Sequence, residues 1–216
     1  NKATPIAIVE AKDANHSVSH GLQQAMTYAQ MLDVKFAYSS NGEGFAEHDF
    51  LTGKERTFAM DEFPTKDELV ERYKNEANDG NGLNEQELAI IEQPFCTGQN
   101  IFPPRYYQRN AVNRTVGAIA KGQNRVLLVM ATGTGKTYTA FQIVWRLLKS
   151  GLKKKVLYLA DRNILVDQSI QQDFKPLEKV THKIDYSKDK NHLEELGSYQ
   201  AVSYTHLRAH ETGRNL

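Results

Sequence analysis

Residues 131–137 read Ala-Thr-Gly-Thr-Gly-Lys-Thr, a spacing that could wrap a chain of phosphates. Gly133 and Gly135 permit tight turns in which successive backbone N–H groups point inward at phosphate oxygens. Lys136 would reach the β- and γ-phosphates, and the Thr137 hydroxyl would complete the shell of a Mg²⁺ ion beside them. Thr132 and Thr134 fill the rest of the loop. In front lies the apolar run Val126-Leu-Leu-Val-Met130, which reads as a strand, and behind it a helical pattern from Lys136 to Leu148. Strand, loop and helix in that order are the context such a loop requires, and the helix N-terminus adds a favourable field. The full pattern G-x-x-x-x-G-K-[ST] fails at its first position, Met130. The bland alternative is a Gly-rich turn followed by an accidental Lys-Thr.

A second candidate is Glu10-Ala-Lys12. Residues two apart on a strand point the same way, so a carboxylate and an ammonium are presented together. In metal-dependent nucleases such a Glu binds Mg²⁺, and the Lys orients and activates the attacking water as the phosphodiester opens. Taken alone, the same pair is more often a surface ion pair. Gln24 and Tyr28 lie four apart and share a helix face, where ordinary surface packing is the alternative. His16 and His20 are also four apart, but no third ligand of suitable spacing follows, so capping or surface positions are expected.

These residues need elements to hold them. Pro5 to Glu10 reads as a short buried strand with its chemistry at the C-terminal end. Leu22, Ala25, Met26, Ala29 and Leu32 recur at helical spacing, which predicts an amphipathic helix over 19–32 starting near a Ser cap. Val34 to Ser39 is a second strand closed by Asn41-Gly42, and 45–51 with 56–60 form a hairpin around Thr52-Gly53-Lys54. Thr65 with Glu68 forms a capping box for a helix through Tyr73. The polar, Gly-containing stretch 76–100 reads as a linker carrying one short helix, Glu85 to Glu92. Beyond it, helix and strand alternate: 106–121, 125–130, 136–148, 155–160 and 164–174. That alternation predicts a parallel sheet with crossover helices. Residues 201–216 show neither period and are set apart as a non-native tail.

Charge divides the chain the same way. Residues 1–100 hold 8 Lys+Arg against 17 Asp+Glu, net −9, whereas residues 101–216 hold 19 against 9, net +10. A basic second half suits a protein that tracks phosphates. The longest apolar run, Val126 to Ala131, is far too short to cross a bilayer, so no membrane association is expected. Cys96 is the one cysteine, which excludes an intrachain disulfide and fits a reducing, cytoplasmic setting. The chain starts with Asn and lacks a signal-like start, so a cut end is expected.

Met-Ala-Thr-Gly-Thr-Gly-Lys-Thr resembles motif I of superfamily 2 helicases and translocases. Pro104-Arg-Tyr-Tyr-Gln108 resembles their Q motif, which implies that Gln108 reads adenine through donor and acceptor together. Val156-Leu-Tyr-Leu-Ala160-Asp-Arg-Asn resembles motif Ia, which implies a DNA phosphate contact at Arg162, a solvated loop cation being the alternative. Ile6-Ala-Ile-Val-Glu-Ala-Lys-Asp13 resembles the second half of the PD-(D/E)xK nuclease core, and Gln24-x-x-x-Tyr28 its auxiliary motif.

The combined order, over about residues 5–200, resembles the motor subunit of type I restriction endonucleases. The implied architecture is a restriction-endonuclease-like mixed α/β domain (1–75), a linker (76–100) and a partial P-loop, RecA-like parallel-sheet domain (101–200). The resemblance implies ATP and Mg²⁺ as cofactors, with double-stranded DNA and the specificity and methyltransferase subunits as partners. Two family features are missing. No Asp stands before Glu10 to serve as the first metal ligand, and no acidic motif II follows. The expectation is that the chain performs neither reaction unaided. The alternatives are a repair or RNA helicase without nuclease activity, and an ATP- and DNA-binding fragment without turnover.

Overall fold

The computed structural model describes residues 4–98, 101–160 and 173–183, and the backbone of 201–205. The fold is mixed α/β, in two compact units. One comprises Asn1–Pro94 and Phe102–Asn124, the other Phe95–Ile101 and Arg125–Leu216.

The first unit is built on a four-stranded sheet, β1 (Ala7–Ala11), β2 (Phe36–Ser40), β3 (Gly44–Asp49) and β4 (Glu55–Ala59), in that spatial order. β1 and β2 run parallel, whereas β2–β3 and β3–β4 are antiparallel. Helix α1 (Leu22–Leu32) makes the crossover between the parallel pair. Its Ala25 and Ala29 are fully buried and pack with Val34 and Ala37 on one sheet face, where Ile8 joins them. Small residues let the helix sit close to the strands. Phe36, Tyr38 and Leu69 form the core of the opposite face, with Phe45, Phe58, Phe63 and Tyr73 packed around them. Leu69 and Tyr73 come from α2 (Lys66–Glu76), so the unit has three layers. Period-2 alternation along β1 therefore sends Ile8 and Glu10 to the α1 side.

The expected Thr65–Glu68 capping box is present on α2, and α3 (Glu85–Glu92) has the bounds read from the sequence. An Asn84–Glu87 box starts α3, and Asn78 Nδ2 donates to both Glu87 oxygens at 3.2 and 2.9 Å. The connecting stretch is thus tied down by its own side chains. α4 (Tyr106–Ala120) packs against α3 and buries Val112, Val116 and Ala120. The expected Ser cap on α1 is not formed. Gly21 is the N-cap, without a side-chain cap bond.

The second unit holds α5 (Lys136–Lys149), β5 (Val156–Ala160), a 3₁₀ turn at Lys175–Val180, β6 (Thr181–Lys183) and β7 (Ala201–Thr205). The sheet order is β5-β7-β6 with both pairings parallel, so the expected parallel sheet is present, with β5 its one strand read from the sequence. Cys96, Phe141, Val144, Phe174 and Leu177 form its core.

Two expectations for this unit are corrected. β7 belongs to the sheet, so up to Thr205 the stretch set apart as a tail is part of the fold. The run 125–130 forms no strand, and Leu127 and Val129 are 85% and 88% exposed. Branched apolar sequence favours a pleated, half-buried surface, but no described strand pairs with this run to provide one. The expected helix over 164–174 lies almost wholly outside the described residues, and Asp173–Phe174 form a turn. No helix among the described residues is long and apolar enough to cross a membrane.

Candidate functional site

At the end of β1, Glu10, Lys12, Gln24 and Tyr28 form one hydrogen-bonded line. Lys12 Nζ donates to Glu10 Oε1 at 2.9 Å and to Gln24 Oε1 at 2.9 Å, and Gln24 Nε2 donates to the Tyr28 hydroxyl at 2.9 Å. The first two side chains come from the strand end and the other two from consecutive turns of α1. The ammonium is held between a carboxylate and an amide oxygen, with about a quarter of its side chain open to solvent. The backbone beneath is fixed as well, because the Lys12 N–H donates to the Ser40 carbonyl at 2.8 Å. A cation so held, open on one side, can meet a phosphate oxygen without first searching rotamers.

Two residues that sequence reasoning missed bring the helix to this strand. Ser39 stands opposite Glu10 in the β1–β2 register, is fully buried, and its Oγ accepts the Gly21 N–H at 3.0 Å. A Cβ on Gly21 would lie 2.8 Å from Ser39 Oγ, 2.9 Å from Glu10 Cγ and 3.1 Å from Lys12 Cε. Only glycine allows so close an approach. The available signal was a glycine just ahead of the helical period.

Behind the sheet lies a buried ionic cluster, also missed. Arg72 on α2 donates to Glu47 Oε1 and Oε2 at 2.8 and 3.1 Å and to Asp49 Oδ2 at 2.7 Å, and Arg56 reaches Glu47 at 3.1 and 3.2 Å. Burial pushes the Glu47 carboxyl up, but the hydrogen bonds from Arg72 and Arg56 more than offset it and hold it at about 2. The cluster locks α2 to β3. It offers no metal site, since among the described residues no group of three His, Cys, Asp or Glu could hold an ion. Glu10 likewise stands in no such group. His16 stacks near His20, at 4.2 Å between ring centroids, and its Nδ1 pairs with Asp13 Oδ1 at 2.9 Å.

The candidate phosphate loop is made of backbone. Gly133 and Gly135 have φ of 78° and 82°, the left-handed region that glycine enters without strain. Gly135 caps α5 with no side-chain bond, and the first turn carries no acidic residue. The first N–H groups of α5 therefore lack a side-chain acceptor, and an anion suits them. Thr134 Oγ1 and Lys136 Nζ both donate to the Ala131 carbonyl, at 2.6 and 3.2 Å, so the ammonium lies back over the loop. A Cβ on Gly133 would meet nothing within 4 Å. The donor set, positive and uncapped, fits a chain of phosphates. Thr132 belongs to the loop and Thr137 to the first turn of α5. Gln108 is buried in the first unit, and its Oε1 accepts the Arg105 N–H at 2.9 Å as a helix cap. One lone pair of that acceptor is therefore already spent on the cap. Arg162 lies outside the described residues.

Residues 101–212 match the family described as type III restriction enzyme, res subunit (ResIII). The chain is 43% identical over 204 residues to the type I restriction enzyme EcoAI endonuclease subunit of Escherichia coli, covering 92% of this chain and 25% of that protein. The chain belongs to the restriction-enzyme R-subunit family. Within it the likeness is to the type I members. The EcoKI endonuclease subunit of Escherichia coli strain K12 is 28% identical over 214 residues, covering 77% of this chain and 18% of that protein. A solved fragment, assigned as an HsdR subunit of a type I restriction enzyme from Vibrio vulnificus YJ016, superposes with a TM-score of 0.62 at 33% identity. It covers 97% of this chain and 44% of that one. The chain thus spans about a quarter or less of the curated R subunits it matches.

Proposed function

We propose that the chain is the portion of an ATP-driven, DNA-translocating endonuclease subunit in which the nuclease core meets the first motor lobe. The complete subunit would act in a type I restriction-modification system, pulling and cutting unmodified duplex DNA beside specificity and methyltransferase subunits. One observation carries the reading: a single chain holds both the hydrogen-bonded line Glu10–Lys12–Gln24–Tyr28 and an uncapped Gly133–Gly135 loop ahead of Lys136. On this reading residues 1–75 are the nuclease-like part and 76–100 the connector, and the truncated RecA-like lobe runs from 101 through β7.

Each residue has a task that follows from its chemistry. Lys136 and the N–H groups of residues 132–137 hold the triphosphate of ATP, Thr137 provides an oxygen ligand for its Mg²⁺, and Gln108 and Arg162 contact adenine and DNA. Glu10 contributes one oxygen ligand to a nuclease Mg²⁺, which when bound neutralises charge on the scissile phosphate. Lys12, kept in place by Glu10 and Gln24, stabilises the same developing charge from the protein side. Tyr28 holds the Gln24 amide so that its oxygen, not its nitrogen, faces Lys12.

The test separates the two activities. In a complete subunit assembled with its partners, Lys12→Ala abolishes double-strand cleavage and leaves DNA-stimulated ATP turnover and translocation near the parent rate. Persistent cleavage would remove Lys12 from the site. For the chain by itself a second reading, binding without turnover, is favoured by the exposure of Leu127 and Val129 in front of the loop. ATP hydrolysis by this chain, raised by duplex DNA, would exclude it.

A further inference from the structure

The stretch Phe95–Ile101 belongs to the second unit, yet the chain on either side of it, Asn1–Pro94 and Phe102–Asn124, belongs to the first. It is a strap of the second unit, with both ends covalently continuous with the first. One side chain clamps it. Gln142 on α5 is fully buried and spends both ends of its amide on a single residue. Its Oε1 accepts the Cys96 N–H at 2.9 Å, and its Nε2 donates to the Cys96 carbonyl at 3.0 Å. That is the pairing a neighbouring strand would supply, delivered by a side chain. The second hydrogen of Nε2 goes to the Tyr138 hydroxyl at 3.1 Å. Around the clamp, Cys96 and Ile101 pack with Phe141 and Val144, and the Arg146 guanidinium lies 5.2 Å from the Phe95 ring centroid.

Tyr138, Gln142 and Arg146 follow one another at four-residue spacing, so one face of α5 bears on the strap. Tyr138 is also the next residue after Thr137. The helix that begins at the phosphate loop therefore grips the strap about 9 Å further along its axis. A buried N–H and C=O left without partners would cost more than the clamp itself gains, so the strap follows the helix.

We infer that Gln142 is a positioning residue that transmits nucleotide occupancy of the loop at 131–137 to the strap. Through the covalent joins at Pro94 and Phe102 it then reaches the unit bearing Glu10, Lys12 and Gln108. The inference rests on the nucleotide reading given above.

Cys96 supplies the probe, because it is the chain's one cysteine and is buried. Reaction of its thiol with an aromatic disulfide reagent reports release of the strap without any added label. In the wild-type chain, labelling slows at least threefold once the Mg²⁺ complex of the β,γ-imido analogue of ATP is bound. Gln142→Met fills the same space but cannot pair with Cys96. It labels at least tenfold faster, loses the response to the analogue, and binds that analogue within twofold of wild type by calorimetry. Gln142→Glu, which keeps one oxygen toward the clamp and loses the donor, falls between the two. A wild-type rate that ignores bound analogue, or a Gln142→Met chain that keeps the wild-type response, overturns the inference and leaves the nucleotide reading standing. A wild-type chain that binds no analogue, or whose binding is untouched by Lys136→Ala, overturns the nucleotide reading and the inference with it. The wild-type comparison decides even if Gln142→Met fails to fold.

Discussion

In the first unit the proposed chemistry rests on side chains from two elements that meet. Glu10 and Lys12 arrive on a strand, Gln24 and Tyr28 on a helix, and three hydrogen bonds of 2.9 Å join them. In the second unit it is carried by seven consecutive residues, mostly through their backbone, with Lys136 as the one charged side chain. A site of the first kind depends on how the sheet and helix pack. One of the second kind depends on local φ angles and tolerates a poorly supported surrounding, which is the situation of a loop preceded by the exposed run 125–130. The two should therefore fail in different ways when they are broken.

The largest effect separates the activities outright. Lys136→Ala removes the ammonium that answers the triphosphate charge, and nucleotide binding to this chain weakens by about 100-fold or more, at the upper end for a charge-assisted contact. Its thermal transition stays within a degree or two of wild type, because Lys136 is exposed and, among the described residues, bonds only the Ala131 carbonyl. Calorimetric titration with the imido analogue measures the first quantity and a melting curve the second. Lys12→Ala is the mirror experiment, with cleavage lost and nucleotide affinity unchanged. If Lys12→Ala also weakened nucleotide binding, the two sites would not be separate.

Next in size is the cluster that fixes the sheet behind the first site. Arg72→Leu strips Glu47 and Asp49, 2% and 3% exposed, of their main partner, and costs about 3 kcal/mol in urea unfolding of the first unit. It also changes the response to acid. The Glu47 carboxyl is held at about 2 in the folded state against an ordinary 4.5, so the unfolded chain binds its proton first as pH falls. The stability Glu47 contributes is present in full above about pH 4.5 and is lost as pH drops toward 2. Wild type should weaken across that window and Arg72→Leu should weaken less, while the second unit serves as internal reference. Equal slopes in the two proteins would rule out the cluster as the lock on α2.

Smaller again is Gly21→Ala. Gly21 has φ of −88°, so alanine brings no backbone strain, and only space is at issue. Its Cβ would crowd Ser39 Oγ and Glu10 Cγ within 2.9 Å, at a cost of about 1–2 kcal/mol. The same displacement moves Gln24 away from Lys12. Cleavage by a complete subunit should fall at least tenfold while nucleotide affinity holds. A variant that loses stability without losing cleavage would make Gly21 a packing residue and nothing more.

How much was legible follows the same division. Both glycines of the phosphate loop, the Lys and the Thr could be read directly, because the loop's conformation is encoded in adjacent residues. Elements with a strong period were equally plain: α1, the hairpin of β3 and β4, and the Thr65 box of α2. Gly21 and Ser39 were invisible because their meaning is a distance of 3.0 Å between residues 18 apart in sequence. Glu47, Arg72 and Asp49 each resemble ordinary surface charges until the sheet and α2 bury them. Gln108 could be recognised as a motif residue, but its use as a helix cap needs the turn at Arg105. The run 125–130 misled in the other direction, since composition favoured a strand whose partners composition cannot supply.

That run gives the smallest expected effect and the sharpest contrast. A leucine in a packed strand costs about 2–5 kcal/mol when truncated, whereas a substitution on an open surface changes stability by no more than about 0.5 kcal/mol. Leu127 and Val129, 85% and 88% exposed, belong to the second class in this chain. Leu127→Ser and Val129→Ser should therefore leave its urea midpoint unchanged. They should also leave nucleotide affinity within twofold, because the loop's donors are N–H groups of residues that follow Ala131. Gly133→Val should behave in the opposite way despite the open space around it, since φ of 78° is denied to a β-branched residue. If instead Leu127→Ser lowered affinity as Gly133→Val does, the loop would depend on packing after all, and its difference from the Glu10–Lys12 site would be one of degree.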